Sequence, residues 1–179
     1  MWGRNEPGYK PLHACGRTLT CDFFQSLMTN PPHTQRPIVG VGIAVFDRDD
    51  ILLVRRGRPP RLGEWSLPGG KQQHGEGVHA AALRELYEET AVRAEIVGLV
   101  DVVDVLPAPH DPATPHYTLI DFAALWRSGR PRAGDDAADA RFWPLDALDA
   151  MVLWDETRRV IRQAYAMTRQ VPAEQKDPP

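Results

Sequence analysis

The stretch GKQQHGEGVHAAALRELYEETAV, Gly70 to Val92, decides the reading of this chain. From about Gly77 to Thr90 it is rich in Ala and Leu and free of interior Gly or Pro, which predicts a long helix. Glu85, Glu88 and Glu89 stand at i, i+3 and i+4, and at 100° per residue their carboxylates share one sector of about 100°. Ala82, Leu83, Leu86 and Tyr87 fall on the other side, so the expected helix divides into a buried stripe and a carboxylate stripe. Like charges four residues apart repel by roughly a few tenths of a kcal/mol. Something positive is therefore required. Arg84 reaches Glu88 at i+4, but one guanidinium cannot neutralise Glu76, Glu85, Glu88 and Glu89 together. Divalent cations can, and an all-oxygen donor set suits Mg2+ or Mn2+ rather than zinc.

Three glutamates alone read most simply as a solvated acidic face. The flanking glycines shift that reading. Pro68-Gly69-Gly70 puts glycines where backbone N–H and C=O groups can approach a ligand with no Cβ in the way. Gly75 and Gly77 bracket Glu76, so a loop delivers a fourth carboxylate to the start of the same helix.

Outward from this segment the chain alternates strands with helices. Ile38 to Phe46 is apolar on both alternations, the pattern of a central strand covered on both faces. Asp47-Arg48-Asp49-Asp50 is a polar turn and Ile51 to Arg55 a strand returning beside the first. Gly57 to Glu64 is loop, and Trp65-Ser66-Leu67-Pro68 leads into Gly69-Gly70. Ile96 to Leu106 and His116 to Trp126 predict two more strands, and Ala140 to Trp143 a short one. A last helix runs from about Asp155 to Met167, with Thr157, Val160, Ile161 and Ala164 on its packed face and Arg158, Arg159 and Arg162 outward. The fold class is α/β, a layered fold with a mixed sheet.

The Gly70–Val92 segment resembles the signature of the Nudix hydrolases, G-x5-E-x7-R-E-U-x-E-E-x-G-U with U aliphatic. Gly70, Glu76, Arg84, Glu85, Leu86, Glu88, Glu89 and Val92 match in register, and a chance match is on the order of one in a million. Ala91 departs where the family has glycine. It stands where a helix would end in a left-handed residue, so the expected penalty is about 1 kcal/mol or a shifted cap. Trp65 to Gly70 resembles the family's approach to its signature. The resemblance implies a Nudix-type α/β/α sandwich over roughly 37–165 that hydrolyses a nucleoside diphosphate linked to another group. It implies further that Glu85, Glu88 and Glu89 hold Mg2+ with the Gly69 carbonyl, that Arg84 orients the glutamates, and that Glu76 joins the network.

Such a reaction needs these residue types, because a pyrophosphate repels nucleophiles until cations neutralise its oxygens and acidify an attacking water. The base is Glu85 or an acid from a distant loop, for which Asp135 and Asp136 in Gly134–Asp139 are candidates; an ordinary polar turn is the plainer reading of that pair. Arg55, Arg56, Arg58 and Arg61 either grip substrate phosphates or form a solvated edge. Tyr117, Trp126, Phe142 and Trp143 are stacking candidates, although core packing is the commoner fate of such rings. Val97 to Asp101 and Gly134 to Arg141 resemble the bacterial ADP-ribose pyrophosphatase-like branch. The loops Pro107–Pro115 and Gly134–Asp139 fit a substituent beyond the diphosphate, favouring ADP-ribose or a relative of it. The alternatives are a triphosphate pyrophosphohydrolase acting on oxidised nucleotides and a non-catalytic Nudix-like ligand sensor. The sensor fits less well, since all four glutamates are intact.

Composition bounds the rest. At 179 residues, 42% hydrophobic and 25% charged, with a net charge of −3, the chain reads as one globular domain near neutrality. That balance argues against a bulk electrostatic grip on nucleic acid or an anionic membrane. The expected partner is a small-molecule nucleotide substrate; a homodimer is compatible with the sequence. No run is long and apolar enough for a membrane span, and the first residues resemble neither a signal nor a transit peptide, so a cytoplasmic location is expected. Prolines mark residues 1–36 as an N-terminal arm and 171–179 as a C-terminal tail around a body of 37–170. Met28 is a candidate translation start. Cys15 and Cys21, the two cysteines of the chain, exclude a disulfide framework, and their spacing fits no compact zinc pattern.

Overall fold

The computed structural model describes residues 36–59, 61–107, 115–134 and 137–172. Cys15, Cys21, Met28, Asp135, Asp136, most of the Pro107–Pro115 loop and nearly all of the expected arm and tail lie outside the described residues.

The strand expected at the centre is there. β1 (Ile38–Asp47) pairs in parallel with β6 (Tyr117–Ser128) from Ile38–Tyr117 to Phe46–Leu125. On its other flank β1 pairs antiparallel with β2 (Asp50–Arg56) at one end and with β4 (Gly69–Lys71) at the other. β3 (Trp65–Ser66) and β7 (Ala137–Pro144) both pair with β2, and β5 (Arg93–Val105) closes the far edge against β6. The result is a mixed sheet of seven strands.

The two alternations of β1 face two separate cores. Val41, Ile43 and Val45 pack with Leu52, Phe122 and Ala124 against Ala81, Ala82 and Leu86 of helix α1 (Val78–Thr90). Ala44 and Phe46 pack with Ile51, Leu53 and Ala123 against Ile161 and Ala164 of helix α2 (Asp155–Arg169). One helix on each face makes an α/β/α sandwich. Among the described residues no helix is long and apolar enough to cross a membrane.

The structure corrects three expectations of side-chain direction. Leu83 and Tyr87 are exposed, because the sheet covers only the narrow stripe of Ala81, Ala82, Leu86 and Thr90; Tyr87 instead carries the Arg93 guanidinium 4.7 Å from its ring centroid. Arg158 turns inward and donates to the carbonyls of Leu148 and Met151, satisfying the end of a 3-10 helix, Leu145–Ala150, that has no sequence period of its own. Arg159 is half-buried and reaches across to Asp101 of β5. The packed stripe of α2 runs on to buried Thr168, with Thr157 only half-buried.

Candidate active site

α1 starts at Gly77, whose extended backbone lets its carbonyl accept from the Ala81 N–H at 2.9 Å. It stops at Ala91, which is left-handed (φ 58°, ψ 18°) and donates to the Tyr87 carbonyl at 2.8 Å. The departure from glycine thus leaves the cap in place, and the L-residue carries the strain. Thr90 secures the stop, donating from Oγ1 to the Leu86 carbonyl at 2.6 Å and accepting from the Val92 N–H at 3.2 Å. The segment after β6 serves two more of the terminal carbonyls: Arg132 N–H donates to Thr90 O and Gly134 N–H to Glu89 O, each at 2.9 Å. A Cβ on Gly134 would lie 2.0 Å from the Glu88 carbonyl, so this approach requires glycine.

On the exposed side of α1, Arg84 is the hub. Its Nε and Nη2 hold the two oxygens of Glu76 at 2.9 and 3.0 Å, the bidentate fork that suits guanidinium and carboxylate. Its Nη1 donates to Glu85 and to Glu88, both at 2.9 Å, and Nη2 also reaches the Lys71 carbonyl at 3.2 Å. Glu89 takes a different anchor, the backbone N–H of Gly69 at 2.9 Å. The structure therefore brings Glu76, Arg84, Glu85, Glu88, Glu89 and Gly69 together. Three of the four carboxylates pair with the one guanidinium, and the fourth, Glu89, is held by the Gly69 N–H.

The loop before the helix completes the hub. Gln73 N–H donates to Glu76 Oε2 at 3.1 Å, and Gln72 Nε2 donates to the Glu76 carbonyl. Both glutamines stand at unspecified positions of the signature, so the pattern does not mark them. The Arg84 fork holds the Glu76 carboxyl below the ordinary carboxylate range, with the Gln73 N–H adding to it against a smaller opposing effect of burial. Glu76 above all, with Glu85 and Glu88, raises Arg84 above its ordinary value. Glu85 lies against β4: a Cβ on Gly70 would stand 2.4 Å from its Cδ, and one on Gly69 would stand 2.1 Å from the Val41 carbonyl.

Arg55 and Arg56 are exposed at the end of β2, where the ladder to β7 carries an irregularity. Arg55 stands opposite Asp139 and Trp65, and Arg56 opposite Ala137. Ala137 N–H donates to Gly134 O at 3.2 Å, and Gly134 rests on Glu88 and Glu89, so this strand end borders the carboxylate helix. Arg61 is engaged elsewhere, with Glu64 at 2.8 Å and over the Trp154 ring at 5.4 Å. Phe142 and Trp126 pack on the α1 core. Trp143 packs on the α2 core, edge-on to Trp65 with centroids 5.2 Å apart. These three rings serve packing.

A second polar cluster, missed in the sequence, lies on the α2 face. Asp121 of β6 is only 7% exposed. Burial pushes its carboxyl up to about 6, and the charge of Asp101 opposite it on β5 adds to that while Arg159 opposes it. Asp101 itself is held low by Arg159 Nη1 at 2.7 Å and by the Val102 N–H, and Arg159 Nε also pairs with Glu156 at 2.7 Å. A lone acid inside the apolar run Leu119–Leu125 was the available signal.

Comparison with known proteins places these observations. The family model described as NUDIX domain matches residues 36–164. The ADP-ribose pyrophosphatase of Methanocaldococcus jannaschii is 34% identical over 112 residues, 63% of this chain and 64% of that protein. The match to a Bacillus subtilis relative covers 52% of its length, so the chain spans about half to two thirds of these relatives. Among solved structures, the MutT NUDIX hydrolase of Burkholderia pseudomallei superposes with a TM-score of 0.62 at 33% identity, covering 72% of this chain and 98% of that one. The NUDIX domain of Shewanella oneidensis NrtR complexed with ADP ribose superposes with a TM-score of 0.65 at 25% identity, covering 81% and 97%.

Proposed function

Because the chain belongs to the NUDIX family, we propose that it hydrolyses the pyrophosphate linkage of a nucleoside diphosphate derivative such as ADP-ribose, with Mg2+ or Mn2+ as cofactor. The observation that carries this reading is the cluster in which Glu76, Glu85 and Glu88 share the Arg84 guanidinium and Glu89 sits beside them on the Gly69 N–H. Its donors are all oxygen and its negative charge exceeds its positive, which fits a hard divalent cation. Among the described residues no three His, Cys, Asp or Glu side chains form a ready-made cage; Arg84 and the Gly69 N–H engage the oxygens instead.

Glu85, Glu88, Glu89 and the Gly69 carbonyl would hold the cation. When bound, it screens the diphosphate oxygens and lowers the pKa of an attacking water. Arg84 and Glu76 keep the carboxylates gathered at the helix, and Glu85, Glu88 and Glu89 would turn from Arg84 and the Gly69 N–H to the cation. Glu85 offers Oε2 as proton acceptor while its Oε1 is held by Arg84; Asp135 and Asp136 follow Gly134 directly in sequence and are the other candidates for the base. Arg55 and Arg56 grip substrate phosphate bidentately at the neighbouring strand end. Water adds to one phosphorus, the bridging oxygen leaves with the other phosphate, and ADP-ribose yields AMP and ribose 5-phosphate.

ADP-ribose is preferred as substrate because a relative 34% identical is named for that reaction and a similar fold was solved with that molecule. Competition between ADP-ribose and 8-oxo-dGTP in one tube tests this. We expect a kcat/KM at least ~10-fold higher for ADP-ribose, about 1.4 kcal/mol. A preference for the oxidised triphosphate would overturn the substrate and leave the metal chemistry standing.

A further inference from the structure

Asp121 forms no hydrogen bond with any described residue, although it is more than nine-tenths buried. It is not sealed either, since His116 Nε2 and Trp143 Nε1 are the atoms of the described residues that are both closed off and unpaired. The carboxyl therefore retains slight exposure to solvent. Its charged neighbours do not serve it. Asp101 on β5 is the like charge, and Arg159 on α2 spends its guanidinium on Asp101, Glu156 and Gln163. A buried acid left without a donor is costly, and such a group points to a ligand that supplies one.

The register locates that ligand. Gly42 pairs with Gly69 on one side and with Asp121 on the other, so the three residues form one row across β4, β1 and β6. Adjacent strands lie about 4.8 Å apart, which puts Asp121 about 10 Å from Gly69. Gly69 is tied to Glu89, and 10 Å is the scale of one phosphate plus a nucleoside or sugar group. The middle of the row is cleared for the carboxyl: a Cβ on Gly42 would lie 2.1 Å from Asp121 Oδ1. Two carboxylates side by side repel a phosphate. They attract an uncharged group that bears N–H or O–H donors.

We propose that Asp121 is a specificity-determining residue that accepts a hydrogen bond from an N–H or O–H donor of the substrate's uncharged moiety, one row along the sheet from the diphosphate. The inference rests on the hydrolase reading for what that substrate is. Binding separates the two. The full chain with Mg2+ is titrated calorimetrically with the non-hydrolysable α,β-methylene analogue of ADP-ribose and with methylenediphosphonate, in wild type, Asp121→Asn and Asp121→Ala. The expected result is a Kd for the ADP-ribose analogue weakened about 10-fold by Asn and further by Ala, with methylenediphosphonate unchanged within twofold. Analogues carrying hypoxanthine for adenine, or deoxyribose for ribose, distinguish the source: removing the donor that Asp121 holds makes wild type and Asn variant bind alike. Equal weakening of both ligands, weakening of neither in a variant that melts like wild type, or a gap that survives loss of every donor tested would overturn the proposal. ADP-ribose turnover by wild type, run in parallel, judges the hydrolase reading separately.

Discussion

Asp121→Asn should stabilise the protein at neutral pH and do little in acid. The folded carboxyl titrates near 6, while an unfolded aspartate titrates at about 3.9. The folded protein thus keeps a proton that the unfolded chain has lost, and between about pH 4 and 6 stability falls as pH rises. Above about pH 6 the loss is complete. Two pKa units at 1.36 kcal/mol each make it roughly 3 kcal/mol, an order of magnitude applicable to a residue only 7% exposed. Asparagine has nearly the same shape, does not titrate, and breaks no hydrogen bond to the described residues. All other titrations are common to both proteins and cancel to first order. Thermal melts by circular dichroism at pH 4, 5, 6 and 7.5 should show the Tm difference, variant minus wild type, growing from near zero to several degrees, up to about 10 °C. A difference that is flat across this range, or that shrinks as pH rises, would refute the assignment of a raised carboxyl.

Two further substitutions probe the carboxylate helix. Ala91→Gly relieves an L-residue at φ 58° and should gain about 0.5–1 kcal/mol after the entropy cost of glycine in the unfolded chain; an unchanged or lower Tm in a calorimetric melt would count against strain at that cap. Gly70→Ala places a Cβ 2.4 Å from Glu85 Cδ, so Glu85 must move by roughly an ångström, and kcat should fall about 100-fold with the fold intact. Wild-type turnover in that variant would show that the position of Glu85 is not critical.

The carboxylate helix was legible because its period and its charges carry the same message: Ala81, Ala82 and Leu86 point one way and Glu85, Glu88 and Glu89 the other. β1 was legible from its two apolar alternations, each of which meets a helix. β3 and β4 were not, since two or three residues hold no period and Gly69-Gly70 has no strand preference of its own. Leu83 and Tyr87 were misplaced because a helical wheel assigns a sector, whereas the width of the buried stripe is set by the sheet beneath it. Asp121 escaped notice for a related reason. The apolar run around it hints at burial, but its opposition to Asp101 depends on how β5 pairs with β6, which does not register in the local sequence. Arg159 reads as a solvent-facing residue on α2 until Asp101 is set opposite it, 58 residues away in the chain.

The central claim, that the carboxylates of α1 hold the cation that drives hydrolysis, is tested most directly by titrating Mn2+ into the protein, reading bound metal by electron paramagnetic resonance and ADP-ribose cleavage in the same samples. In wild type, turnover should rise with bound Mn2+ and stop in EDTA, while Glu88→Gln and Glu89→Gln should lose tight binding and at least ~100-fold in kcat, roughly 2.7 kcal/mol of barrier, with the fold preserved. Cleavage that persists in EDTA, or near wild-type binding and turnover in both variants, would contradict the account.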